Sequence, residues 1–231
     1  MRRLLGSLID RLCLARDKRR LARYGVPGPG VALDQLTLSL YGVPGMMSPE
    51  AGPMLFILAA TQQLAGDIIE IGSWQGRSTI FLARGTRAGL NGRVYAVDHF
   101  LGNPGKEYLY RVSRDDLSDL ADNFNRNVAA FGVRESVELL PVDSARAATM
   151  LSGRGIRARM LFIDGNHNYE SVHADFQAFR GLLLPQALVV FDDYSASFPG
   201  VIQCVHELVD SGVLSPRFNY GNCFVAVVAG S

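Results

Sequence analysis

Short apolar runs alternate with amphipathic segments along most of this chain. Five runs have the length and β-branched content of buried strands, near 67–71, 93–97, 136–140, 159–163 and 187–191. Segments with helical spacing separate them, near 77–89, 116–131, 144–152, 169–183 and 199–211. Such alternation predicts an α/β fold with a doubly wound, mostly parallel sheet. Residues 217–228 read as two further strands joined by Gly221-Asn222, so a C-terminal antiparallel hairpin completes seven strands.

The first 49 residues differ in character from the rest. Residues 1–24 hold eight Arg and Lys against two Asp, a net charge of +6 that leaves −5 on the remainder, and Leu4, Leu8 and Leu12 follow helical spacing. Gly- and Pro-rich breaks at 24–30 and 41–45 follow. We therefore divide the chain into a basic helical extension and linker, 1–49, and one domain, 50–231. Within the domain, Ser48-Pro49-Glu50 is expected to cap a helix that runs to about Leu64.

The basic extension allows two interpretations. It can lie weakly on an anionic membrane surface, or it can pack on its own domain or on a second subunit. We favour packing, and expect a homo-oligomer with contacts before residue 50. The acidic balance of the body and its lack of a basic stripe argue against a nucleic-acid partner.

Bulk composition narrows the class of protein. The chain has 231 residues, 48% of them hydrophobic and 19% charged, which is ordinary for a globular domain. No apolar run is long enough to cross a bilayer. Three scattered cysteines argue against a disulfide framework or a thiolate metal site, so we expect a reducing, cytoplasmic location.

The most informative segment is 67–83, a buried strand followed by a glycine-bearing turn and a helix. A dinucleotide-binding turn needs G-x-G-x-x-G, but Trp74 stands where its second glycine would let a diphosphate approach. The segment instead suits a cofactor with an amino-acid end, whose carboxylate meets free N–H groups and a hydroxyl. The alternative is that any tight strand-to-helix turn needs glycines. The candidate cofactor-binding residues here are Glu70, Gly72, Ser73, Trp74, Gly76 and Ser78.

This turn resembles the first motif of class I S-adenosylmethionine (SAM)-dependent methyltransferases, in the form E-x-G-x-x-x-G-x-S. The resemblance implies a Rossmann-like sheet and SAM as cofactor. Asp98, at the tip of the second strand, is placed to accept hydrogen bonds from a ribose diol. Asp143 or Ser144, after the third strand, would contact the adenine amino group, with helix capping as the alternative role.

Three further acids end neighbouring strands. Asp164 is the first acid of the string I-D-G-N-H-N-Y-E, which begins at Ile163, and Asp192 and Asp193 end the next apolar run. Carboxylates that converge at one crevice repel each other unless a cation joins them, which predicts a hard divalent ion, Mg²⁺ foremost. Asp164 is also a candidate cofactor contact. The alternative for Asp192-Asp193 is a turn that caps the following segment.

The same strings resemble metal-dependent small-molecule O-methyltransferases of the catechol and caffeoyl-CoA type. They are closer to a bacterial group with I-D-G-x-H-x-Y-E followed by D-D, which is linked with sugar and antibiotic tailoring; the resemblance covers about residues 50–230. Where the catechol-type enzymes have a lysine base, this chain has His167, and an imidazole can take a hydroxyl proton without the large pKa depression that a lysine needs. His167 is therefore the candidate catalytic base, or else a helix-start residue bonded to Glu170.

The expected activity is methyl transfer from SAM to a hydroxyl of a small molecule, of sugar or secondary-metabolite type. Residues 99–111, with Tyr194 and Phe198, are expected to form the acceptor pocket. His173 and Asp175 are expected to serve packing or solvation. Two alternatives stay open: a nicotinamide-dependent oxidoreductase or epimerase, and a catalytically silent SAM-fold binding protein.

Overall fold

The computed structural model describes residues 40, 42–90, 92–102 and 119–230. The basic segment 1–24, the first break and most of the 99–111 segment lie outside the described residues. The expectations for the N-terminal extension, the membrane surface and the oligomer therefore stay predictions. None of the described helices is long and apolar enough to cross a membrane.

The described residues form one seven-stranded sheet in the order β3-β2-β1-β4-β5-β7-β6. The first five strands are parallel, and β7 pairs antiparallel with both β5 and β6, as predicted. The strands are β1 Asp67–Ile71, β2 Val94–Val97, β3 Val137–Leu140, β4 Ala158–Ile163, β5 Leu183–Phe191, β6 Leu214–Tyr220 and β7 Cys223–Val228.

Helices cover both faces of the sheet. In the described part of the chain they are α1 Ala51–Thr61, α2 Arg77–Ala88, α3 Leu120–Ala130, α4 Ser144–Gly153, α5 Tyr169–Arg180 and α6 Pro199–Asp210, with a short 3₁₀ helix at Arg134–Ser136. Residues from α1, α2 and α3 share one apolar core, and residues from α4, α5 and α6 share the other. Successive strand residues such as Ile68 and Ile69 point into opposite cores, which confirms the doubly wound Rossmann-like arrangement.

Several boundaries differ from the sequence-based prediction, among them both ends of α1, the end of α5 at Arg180 and the starts of β5 and β6. Helix α1 begins at Ala51 with Glu50 at its N-cap position, and the Ser48 side chain gives no capping bond. Its backbone turns extended at Gln62, so the helix ends before Leu64. Strand β5 begins at Leu183, four residues before the predicted start, because Leu183 pairs with Ala158 ahead of a bulge that contains Gln186 at φ 63°.

A buried arginine on β4, Arg159, connects α1 to the sheet by hydrogen bonds. Arg159 on β4 is fully buried, and its guanidinium donates to the carbonyls of Ala59 at 2.9 Å and Gly66 at 2.9 Å. Cations are favoured at a helix C-terminus, where carbonyls lack partners. Arg159 therefore fixes the connection that leads directly into β1 and its turn.

Candidate functional site

A cavity of about 520 Å³ opens at the carboxyl ends of the parallel strands. This is the edge at which open α/β sheets bind ligands. Its lining comes from the ends of β1, β2, β4 and β5, the segment after β3, the start of α5 and Met46. The predicted site residues in this lining are Gly72, Trp74, Asp98, Ser144, Asp164, His167, Asp192 and Asp193. The predicted residues Glu70, Ser73, Gly76, Ser78 and Asp143 are not among them.

The turn after β1 depends on backbone conformations that glycine permits. Gly72 has φ 86°, and a Cβ there would lie 2.0 Å from the backbone oxygen of Asp164. Gly76, the N-cap residue of α2, has φ 89°, and Trp74, which lies between Gly72 and Gly76, has φ 46°. The turn therefore presses the end of β1 against the end of β4, and leaves Gly72 and Trp74 facing the cavity.

Glu70 lies behind this turn. It is fully buried, and the Thr79 hydroxyl donates to its Oε2 at 2.5 Å. Burial raises its pKa to about 7, against the opposing effect of hydrogen bonds from Ser78 and Thr79. Glu70 and Ser78 thus join β1 to the start of α2, and their role in cofactor binding stays a prediction.

Asp98 holds two backbone segments at the cavity wall. Its Oδ2 accepts the Trp74 N–H at 2.8 Å, and its Oδ1 accepts the Phe100 N–H at 2.8 Å. Desolvation raises its pKa. A carboxylate has about four acceptor positions, so Asp98 can also accept from a ligand diol.

The two candidates after β3 have separate positions. Asp143 caps α4, because its Oδ1 accepts the Arg146 N–H at 2.8 Å, so the capping alternative is confirmed for it. Ser144 faces the cavity. These neighbours therefore point in different directions, which their sequence alone left open.

Asp175 was missed as a site residue. It lines the cavity from α5 and hydrogen-bonds to Ser144, and burial raises its pKa to about 6. The signal was its spacing, since Val172, Phe176 and Phe179 are the buried face of α5 and Asp175 lies on that face. His173, by contrast, faces outward beside Gln177 and Glu207.

The predicted acids of β4 and β5 do converge. His167 Nε2 lies 3.0 Å from Asp193 Oδ2 and 3.9 Å from Asp164 Oδ1. Desolvation and the charges of Asp192 and Asp193 raise the pKa of Asp164 well above its ordinary value. Asp192 is buried, and its Oδ1 accepts a hydrogen bond from the Cys223 thiol at 3.1 Å.

His167 has a fixed environment. Its ring centroid lies 4.6 Å from that of Phe198, which also lines the cavity. The backbone N–H of His167 donates to Asn166 Oδ1 at 2.8 Å, and Asn168 caps α5 by accepting the Ser171 N–H. The loop before α5 therefore presents the imidazole to the acids of the crevice.

Sequence comparison identifies the domain that carries this site. Residues 69–194 match the family model described as "Methyltransferase domain". The match covers more than half of the chain, from β1 to the residue after Asp193. This chain belongs to the methyltransferase domain family. The predicted resemblance is confirmed at that level, and the family membership disfavours the nicotinamide-dependent alternative.

Solved methyltransferase structures share the fold. An O-methyltransferase from Bacillus cereus in complex with SAH superposes with a TM-score of 0.62 at 20% identity, over 85% of this chain and 90% of that chain. TomG from Streptomyces achromogenes, an O-methyltransferase in complex with SAM, gives 0.61 at 22% identity, over 86% and 90%. The O-methyltransferase NovP gives 0.67 at 18% identity, over 87% and 100%. At these low identities, the superpositions show a shared fold alone.

The cavity of this methyltransferase is acidic. Five aspartates line it, at positions 98, 164, 175, 192 and 193, and its described lining contains no Lys or Arg. Apolar walls from Ile71, Val97, Phe100 and Val142 lower the local dielectric constant. A cavity of this kind favours a ligand that is positively charged and partly apolar.

The aspartates are the type of ligand that a divalent ion takes, but their side chains are not grouped around a common point. Carboxylate oxygens are the donors that Mg²⁺ takes. Within residues 40, 42–90, 92–102 and 119–230, however, no three His, Cys, Asp or Glu side chains are grouped to hold a metal. One oxygen of Asp193 contacts His167 and one of Asp192 accepts from Cys223. The metal site of the methyltransferase stays a prediction.

Proposed function

We propose that this methyltransferase transfers a methyl group from SAM to a hydroxyl oxygen of a small molecule, with His167 as general base. The observation that supports it most is the place of the His167 imidazole, which lines the cavity 3.0 Å from Asp193. The described cavity lacks a fixed cation, which favours a positively charged donor. The SAM in TomG and the SAH in the Bacillus cereus enzyme agree with this choice.

The residues that would hold the donor lie at the tips of β1, β2 and β4. Asp98 would accept hydrogen bonds from the ribose hydroxyls, and the turn at Gly72–Trp74 would face the amino-acid end. When bound, SAM would supply an electrophilic methyl group on a sulfonium: a C–O bond to the acceptor oxygen forms as the C–S bond breaks, and SAH leaves with the electron pair of that bond. Asp164 lies where its charge would stabilise a sulfonium.

His167 and its neighbours would handle the proton. The imidazole accepts the proton of the acceptor hydroxyl, and the ring gains a positive charge. Asp193 stabilises that charge and fixes the ring orientation, as carboxylates do for catalytic histidines. Phe198 packs on the ring and excludes water from it. The acceptor oxygen is thereby deprotonated where a methyl donor would lie.

The proposal includes a divalent ion held by Asp164, Asp192 and Asp193. Its support is electrostatic, since Asp164 and Asp192 lie in a desolvated cluster where their pKa values are raised. A bound Mg²⁺ would supply a positive charge that lowers the pKa of a coordinated hydroxyl. For the acceptor we propose a hydroxylated sugar or secondary metabolite, in keeping with TomG, which is involved in tomaymycin synthesis.

The base is tested with His167→Gln. SAH release from SAM would be measured over a panel of catechols and hydroxylated sugars, and SAH affinity by calorimetry. We expect turnover to fall by about 10²- to 10⁴-fold with SAH affinity nearly unchanged, because His167 acts on the acceptor. The control is His173→Gln on the outer side of α5. Undiminished turnover in His167→Gln would refute the base, and failure of the wild type to bind SAH would refute the whole proposal.

The metal is tested separately by chelation. We expect EDTA to abolish turnover, Mg²⁺ to restore it, and Asp164→Asn to remove the restoration. Full activity in EDTA would show that the three acids act without a metal. The base test above would still stand, because it does not depend on this outcome.

A further inference from the structure

Asp175, the half-buried acid on α5, has no part in the proton transfer just described. Asp175 lines the cavity and hydrogen-bonds to Ser144 at the start of α4. It lies beside the residues that follow β3 and β4, since Ser144 follows β3 and Gly165 follows β4. An acid inside a helix's apolar face is costly unless something polar meets it.

The sheet order determines which part of a donor would lie near Asp175. From β1 outward the order is β2 and then β3, with Asp98 at the tip of β2. A nucleoside whose ribose meets Asp98 extends its base towards Val142 and Ser144, which follow β3 and line the cavity. These two residues provide one apolar and one polar contact for a base.

Near Ser144 and Asp175 the cavity wall includes a glycine, which has no side chain. Gly165 lines the cavity, and a Cβ placed on it would lie 3.3 Å from Asp175 Oδ2 and 3.5 Å from Ile71. A planar base can lie against a glycine where a side chain would obstruct it. Asp175 thus lies next to Gly165, against which the base would lie.

Asp143, which the sequence offered with Ser144 as a contact for the adenine amino group, has a different position. Asp143 accepts the Arg146 N–H as the cap of α4 and is not part of the described cavity lining. Asp175 has acceptor capacity beyond the single Ser144 hydroxyl, because a carboxylate accepts about four hydrogen bonds. Asp175 faces the cavity, whereas Asp143 does not.

We infer that Asp175 accepts a hydrogen bond from the exocyclic amino group of adenine and so selects an adenine nucleoside. This inference rests on the proposed use of SAM. Ser144 holds the carboxylate in place, and Gly165 gives the base room to reach it. Asp175 is in this view a specificity-determining residue, and Asp143 is a structural one.

The test compares SAH with its analogue that carries purine in place of adenine and so lacks the amino group. We expect the wild type to bind SAH about ten- to a hundredfold more tightly, the usual effect of one hydrogen bond to a charged group. Asp175→Ala should bring the two affinities together. Asp175→Asn should restore part of the difference, because its amide oxygen still accepts.

Two further variants separate this role from alternatives. Asp143→Ala and the exposed acid variant Asp210→Ala should both keep the discrimination. Loss of discrimination in Asp143→Ala, or equal discrimination in Asp175→Ala and the wild type, would overturn the inference. A wild type that binds neither compound would instead refute the proposed function. Melting temperatures would establish that each variant is folded.

Discussion

Single buried acids make the stability of this chain depend on pH, and Glu70 is the clearest case. Its pKa is raised from 4.5 to about 7 by burial, with a smaller contribution from the charge of Asp98. Below pH 4.5 the carboxyl is protonated in both the folded and unfolded states. Between the two values only the folded state holds the proton, so stability falls as pH rises through this window.

We therefore predict that Glu70→Gln flattens the pH dependence of stability. Glutamine keeps an oxygen for the Thr79 hydroxyl but cannot ionise. Relative to the wild type, the variant's free energy of unfolding should rise by about 3 kcal/mol from pH 4.5 to pH 8. Urea unfolding at several pH values measures this. The exposed Glu135→Gln is the control, and parallel curves for Glu70→Gln and the wild type would contradict the prediction.

At the scale of elements, the contact between β1 and β4 depends on a missing side chain. We predict that Gly72→Ala destabilises the fold by more than about 2 kcal/mol, because its φ is 86° and a Cβ would meet the Asp164 carbonyl. Gly153, the last residue of α4, is the matched control because a Cβ there meets nothing within 4 Å. Gly153→Ala should stabilise by roughly 0.5–1 kcal/mol.

Chemical unfolding of the two alanine variants and the wild type measures the change in the free energy of unfolding that each substitution causes. Equal effects of Gly72→Ala and Gly153→Ala would show that the close approach of the strand ends is not needed for stability. The comparison is informative because the residue change is the same. Only the backbone conformation and the space around it differ.

The elements themselves were largely predictable from sequence. Apolar runs and helical spacing are local signals, so β1, β2, β3 and β4 were located to within about one residue, and the acids at the strand tips followed from the parallel order. Asp175 was not placed in the cavity, because its environment depends on how α5 packs against the sheet. Ser48 and Asp143 were equally suited to capping in sequence, and only the fold shows that Asp143 alone does it.

At the scale of the whole molecule, charge is separated along the chain and concentrated in the cavity. The first 24 residues carry +6 and the remainder −5. Five of the acids of the remainder line one cavity, and burial raises the pKa of Asp98, Asp164, Asp175 and Asp192. The cavity therefore gains negative charge as pH rises.

This charge predicts how the enzyme distinguishes its donor from its product. SAM carries a sulfonium that SAH lacks, so the ratio of SAH to SAM dissociation constants should increase severalfold between pH 6 and 8, the order expected for one charge pair near a protein surface. Calorimetry in EDTA at constant ionic strength measures this ratio. Asp164→Asn should weaken the pH dependence, and the exposed Asp119→Asn should preserve it. A ratio that stays constant with pH would mean that the cavity acids do not face the sulfonium, and the donor would then have to be placed away from Asp164.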